Sequence, residues 1–142
     1  MELSFGEYTI SNDKELVSLD RVFELLKNSY WAHHRSKEII EVSLKNSICF
    51  GVYHRERMVG FARVVTDHAT IYWLCDVIID PEYRGGGLGK KLIESITEMN
   101  EFKGFFGVLA TRNAHGLYEK YGFQKAPEKF MRRNANWNNL MS

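Results

Sequence analysis

The segment Arg84-Gly85-Gly86-Gly87-Leu88-Gly89-Lys90-Lys91-Leu92-Ile93 most limits what this chain can fold into. It follows an apolar run, Val77-Ile78-Ile79, and a turn, Asp80-Pro81-Glu82-Tyr83. It leads into apolar positions at steps of three and four, Leu88, Leu92, Ile93 and Ile96, which predict a helix from about Gly87 to Glu98. Strand, glycine loop and helix start, in that order, build an anion site. Glycines allow positive φ and close approach of a ligand to the backbone. The unpaired N–H groups of a helix's first turn point at such a ligand, and the helix dipole favours negative charge there. Successive amides form a concave nest for phosphate oxygens.

Three phosphate loops compete for this segment. A Walker loop, Gly-x-x-x-x-Gly-Lys-Ser/Thr, demands glycine where Arg84 stands and a hydroxyl where Lys91 stands. A dinucleotide fingerprint, Gly-x-Gly-x-x-Gly, fails at its third glycine from either start, at Lys90 or at Leu92. The third pattern, Arg/Gln-x-x-Gly-x-Gly/Ala, is filled by Arg84, Gly87 and Gly89.

With that loop the chain resembles the GNAT superfamily of acyl-CoA-dependent N-acyltransferases. A second segment supports the resemblance: Asn113-Ala114-His115-Gly116-Leu117-Tyr118-Glu119-Lys120-Tyr121-Gly122-Phe123, an Asn opening a helix, a Tyr inside it and a Gly-Phe closing it. Phe105 to Ala110 reads as the strand between, and the likeness covers roughly residues 59 to 124. The resemblance implies an α/β (α+β) fold with a mixed central sheet of about six to seven strands. Helices flank it on both faces, and the strand before the glycine loop splays from the next.

It also implies acetyl-CoA as cosubstrate and direct attack by an amine on its thioester. The family's pyrophosphate loop maps to Arg84, Gly85, Gly86, Gly87, Leu88, Gly89 and Lys90, and the edge that pairs with the pantetheine arm to Val77, Ile78 and Ile79. Asn113 takes the position that contacts the pantetheine or phosphate portion, and is equally suited to cap a helix. Tyr118 takes the general-acid position near the sulfur, or packs as a core aromatic. A phenol of pKa about 10 is protonated at neutral pH and can donate to a thiolate. Asp76, a carboxylate in an apolar strand, is the candidate base if burial raises its pKa, or else one half of an ion pair. Trp31 and Arg35, in the connection between the first helices, are candidates to clamp the acceptor; His33, His34, Arg63 and His68 are secondary. The alternative from another class is a non-catalytic acyl-CoA-binding or regulatory module of the same fold.

Composition sets the remaining expectations. A chain of 142 residues, 44% hydrophobic, suits one domain spanning 1–142 with a sizeable core. A net charge of +1 gives no reason to expect nucleic acid or a membrane surface as partner. No apolar run approaches a membrane span, and the N-terminus lacks a signal-peptide layout, so a cytoplasmic location is expected. Cys49 and Cys75 sit in apolar runs as small hydrophobes, with catalysis by Cys75 a lesser reading, and no metal-ligand spacing appears. The partner is a small-molecule or peptide amine. The family resemblance allows a homodimer.

The predicted order is a strand at Phe5–Ile10, a helix capped by Asp13, a second capped by Ser36, and strands at Ile48–Tyr53, Met58–Thr66 and Thr70–Ile79. The glycine loop and its helix follow, then the strand from about Phe105 and a helix at Ala114–Tyr121 closed by Gly122. A last strand is expected at Phe130–Arg133, with Trp137 and Leu140 docking the Asn-rich tail.

Overall fold

A computed structural model of the chain describes residues 1–136; the tail contacts expected of Trp137 and Leu140 lie outside them. The described residues form a six-stranded sheet in sequential order, β1 (Glu2–Phe5), β2 (Tyr8–Ser11), β3 (Ile48–His54), β4 (Arg57–Thr66), β5 (Ile71–Ile79) and β6 (Phe106–Val108). Neighbours run antiparallel except β5 and β6, which are parallel. The helices are α1 (Leu19–Leu26), α2 (Lys37–Lys45), α3 (Leu88–Thr97) and α4 (His115–Glu119).

The alternation of side chains along the central strands divides the core into two layers. Phe50, Val52, Val64, Leu74 and Ile79 face Leu88, Leu92, Ile93 and Ile96 of α3 and Tyr118 of α4. Cys49, Phe61 and Ile78 face Val22, Leu25 and Leu26 of α1 and Ile40 and Leu44 of α2. Each fully buried side chain of this kind stabilises the fold by about 1.5–3 kcal/mol before entropy is counted. Helices thus cover both faces, as expected for this fold class.

Ser36 caps α2 as predicted, accepting from the Ile39 amide at 3.2 Å. Four local expectations need correction. Phe5–Ile10 is not one strand: Gly6, at φ 60, turns the chain into the hairpin of β1 and β2. Asp13 caps only the 3-10 turn Lys14–Leu16, and Ser18, five residues on, accepts the Arg21 amide and starts α1. Two good caps stand in series, and the second begins the helix that packs. Asn113 does not cap α4; Ala114 holds that place, and Thr111 Oγ1 accepts its amide at 3.1 Å. Phe130–Arg133 forms no strand; Phe130 instead lays its ring 5.5 Å from that of Trp73.

The predicted Gly122 cap holds. Gly122 has φ 90, its amide reaches Glu119 O at 3.3 Å, and the Phe123 amide reaches Tyr118 O at 3.3 Å. That bond pair is a Schellman closure.

Candidate active site

The strand pairing itself makes an opening. β6 pairs with β5 only at Ile71, Tyr72 and Trp73. From Leu74 to Ile79, β5 has no strand partner on that side among the described residues, and its N–H and C=O groups form a free edge. Three residues after the last pair, the ladder with β4 slips. Phe61 opposes Ile78 and Arg63 opposes Cys75, so Ala62 faces both Asp76 and Val77. Asp76 takes φ 55, a left-handed conformation that Asp tolerates better than most residues. This β-bulge bends and twists the strand where the free edge begins.

The bulge also decides where Asp76 points. Cys75 and Arg63 are cross-strand partners and share a face, and Asp76 joins them there instead of alternating away. Its Oδ2 accepts from Arg63 Nε and Arg35 Nη1, both at 2.9 Å, and its Oδ1 accepts from Trp31 Nε1 at 2.9 Å. The carboxylate side chain is 2% exposed. Burial pushes its pKa up, but the guanidiniums of Arg63 and Arg35 and their hydrogen bonds outweigh burial and hold it below the usual carboxylate range. The raised pKa expected of a catalytic base is therefore corrected, because Asp76 is an ion held in place. Trp31 and Arg35, expected to clamp an acceptor, turn these N–H donors to Asp76. Burial pushes the Cys75 thiol up to about 11, so it is no ready nucleophile.

The far end of the free edge is anchored similarly. Asp80 Oδ2 accepts from Arg21 Nη2 of α1 at 2.5 Å, its Oδ1 accepts the Glu82 amide at 2.9 Å, and its own amide reaches Val59 O at 2.8 Å. Val77, Ile78 and Ile79 thus lie between two carboxylates tied to the α1–α2 layer. Their side chains belong to the two core layers, so a ligand on this edge meets backbone.

A 3-10 turn, Pro81–Tyr83, carries the chain from Asp80 into the glycine loop. Arg84 Nε donates back to Ile79 O at 3.1 Å. Gly85 and Gly87 have φ 88 and 83, and Gly87 is the N-cap of α3 with no side-chain cap bond. A Cβ built on Gly85, Gly86 or Gly87 meets nothing within 4 Å. Leu88 is anchored in the core, while residues 84–87 and Lys90 are exposed. Lys91 pairs with Glu94 at 3.5 Å. The loop presents uncapped first-turn amides and bare backbone to open space, the arrangement a diphosphate requires.

Tyr118 projects from α4 and is 8% exposed. Phe123, placed by the Gly122 closure, stacks on it edge to face at 6.0 Å. Burial, and then the neighbouring Tyr30, raise its pKa above the ordinary phenol value. Tyr30 packs on Trp31 at 5.0 Å, and the Arg112 guanidinium lies 3.8 Å over the Tyr30 ring. Contacts therefore run from Arg112 through Tyr30 and Trp31 to Asp76, and Tyr118 lies near enough to Tyr30 to feel its charge. Arg112 escaped the sequence reading; its only signal was a cation one residue before Asn113. Asn113 is exposed. His33, bonded to Ser29 O, and His34 are exposed, and His68 pairs with Glu101 instead.

An acetyltransferase (GNAT) domain model matches residues 45–125. A GNAT-family protein of Xanthomonas campestris pv. campestris superposes with a TM-score of 0.86 at 32% identity, over 94% of this chain and 97% of that one. A relative in Gibberella zeae is 29% identical over 113 residues, and the match spans 66% of this chain and 64% of that protein. The glucosamine 6-phosphate N-acetyltransferase of Trypanosoma brucei brucei is 46% identical over 59 residues, 40% of either chain. The chain belongs to the GNAT acetyltransferase family. Among the described residues, no helix is long and apolar enough to cross a membrane, and no cluster of His, Cys, Asp and Glu is set to hold a metal.

Proposed function

We propose that this chain is an N-acetyltransferase that uses acetyl-CoA to acetylate a primary amine of a small molecule or peptide. One observation carries the reading: a free strand edge of β5 that starts at a bulge and has an uncapped, bare glycine loop at its C-terminal end. The chain fits the cofactor, since the cradle is left open by side chains that glycine lacks.

When bound, acetyl-CoA supplies a thioester carbonyl that an amine can attack. The amides of Gly85, Gly86, Gly87, Leu88, Gly89 and Lys90 grip the diphosphate, Arg84 braces the loop against Ile79, and the exposed Asn113 is available to the pantetheine or phosphate portion. The backbone of Val77, Ile78 and Ile79 pairs with the extended arm as an added strand would. An N–H on that edge polarises the carbonyl. Tyr118 holds a proton on its hydroxyl at neutral pH. As the amine nitrogen bonds the carbonyl carbon and the C–S bond breaks, it would give that proton to the departing thiolate, and its phenolate would take up the proton the nitrogen sheds, an assistance that typically gives about 10² to 10⁴ in rate.

Titrating the pure protein with acetyl-CoA by calorimetry, then following free-thiol release with glucosamine 6-phosphate, spermidine, lysine and a short peptide, tests this reading. Binding followed by thiol release supports it. Binding with no release on any amine returns the chain to a regulatory CoA-binding role. ATP binding without CoA binding refutes both.

A further inference from the structure

Asp76 does two separable things. Its backbone, at φ 55, makes the bulge from which the free edge of β5 departs. Its carboxylate gathers one donor from β4 and two from the segment joining α1 to α2. That segment, residues 27–36, carries Tyr30 against Arg112 and so forms one wall beside the opening. Ala32 packs this segment into the core layer of Phe61 and Ile78, and Trp31 and Arg35 tie it to β5 by hydrogen bonds through Asp76, which immediately precedes the edge Val77–Ile79.

Resting on the acetyltransferase reading above, we propose that Asp76 is a positioning residue that fixes the acceptor-side segment 27–36 to the cofactor strand. Its carboxylate sets the acceptor site and its backbone sets the cofactor edge. It touches neither substrate. Glycine keeps the left-handed backbone and discards the carboxylate; alanine discards the carboxylate and also disfavours that backbone. Trp31→Phe removes one donor and leaves both arginines paired, so it keeps the fold if loss of the carboxylate does not.

The test compares Asp76→Gly, Asp76→Ala and Trp31→Phe, using the fastest amine of the panel above. Three readouts are taken: acetyl-CoA Kd by calorimetry, acceptor KM separately from kcat, and the Trp31 indole N–H resonance. The resonance is assigned by its loss in Trp31→Phe. In Asp76→Gly, acceptor KM rises about tenfold while acetyl-CoA Kd stays within about twofold, the pattern of lost acceptor binding alone. Trp31→Phe raises KM about threefold with the same Kd, and Asp76→Ala weakens both. The indole resonance shifts in Asp76→Gly. Equal effects of Gly and Ala on both ligands, or unchanged KM in Gly and Trp31→Phe, overturn the proposal. If the parent protein binds no acetyl-CoA, the acetyltransferase reading fails instead. The indole resonance and amide exchange of residues 27–36 in Asp76→Gly then decide the pin by themselves, and unchanged values refute it.

Discussion

Gly86 and Gly87 offer a direct trial of the cradle. A methyl at either position meets nothing within 4 Å in the protein alone, so steric clash costs no folding energy. The two differ in backbone. Gly87 has φ 83, where an L residue costs about 1–2 kcal/mol. Gly86 lies outside that region, where replacing glycine stabilises by about 0.4–1 kcal/mol through the unfolded chain. Gly86→Ala is therefore expected to raise the melting temperature by about 1–4 °C and Gly87→Ala to lower it by about 2–8 °C, at about 2–4 °C per kcal/mol. Both should weaken acetyl-CoA by about tenfold or more, some 1.4 kcal/mol, because the methyl takes the space a diphosphate needs. Calorimetric titration beside thermal unfolding separates the two effects. A Gly86→Ala protein that is more stable and binds acetyl-CoA less well shows that bare backbone was kept for a ligand. Parental affinity in both variants would remove the loop from the site.

Other outcomes follow from the same geometry. Tyr118→Phe should cut turnover about tenfold or more, the low end of general-acid effects, while leaving acetyl-CoA affinity nearly intact; unchanged turnover removes Tyr118 from the acid role. Leu92→Ala, emptying a fully buried position between α3 and the sheet, should cost about 2–5 kcal/mol in urea unfolding, and a loss below about 1 kcal/mol would contradict the packing described. Asp76 has a folded pKa below its unfolded value of about 3.9, so its contribution is present above about pH 4 and is lost as pH falls through the folded pKa. The stability gap between the parent and Asp76→Asn should then narrow between pH 6 and pH 3, and a gap that widens on acidification would reverse the sign.

What the sequence disclosed was local. The glycine loop, the Ser36 cap and the Gly122 closure each depend on residues within a few positions of one another, and each stands where its chemistry placed it. The apolar rhythm of α3 likewise named the residues that are buried. The misreadings arose where two local signals competed or where a partner came from far away. Asp13 and Ser18 are both competent caps, and only packing chooses between them. At α4 it is Ala114, its amide held by Thr111 Oγ1, that takes the place expected of Asn113. The surroundings of Asp76 draw on residues 31, 35 and 63, and its bulge on the register of β4 with β5. Alternation alone assigns Asp76 to the face opposite Cys75, and a single inserted residue reverses that.

Leu88 ties the glycine loop to the core. It is the first residue of α3 and is 2% exposed, yet Gly87 before it is open to solvent. The amides proposed to hold the diphosphate are thus bolted to the hydrophobic interior at their midpoint. If the loop holds the cofactor as proposed, changes as remote as Ile96 or Leu74, in the same core layer as Leu88, should alter that grip. Selection for tight capture would look, from outside, like selection for a well-packed centre.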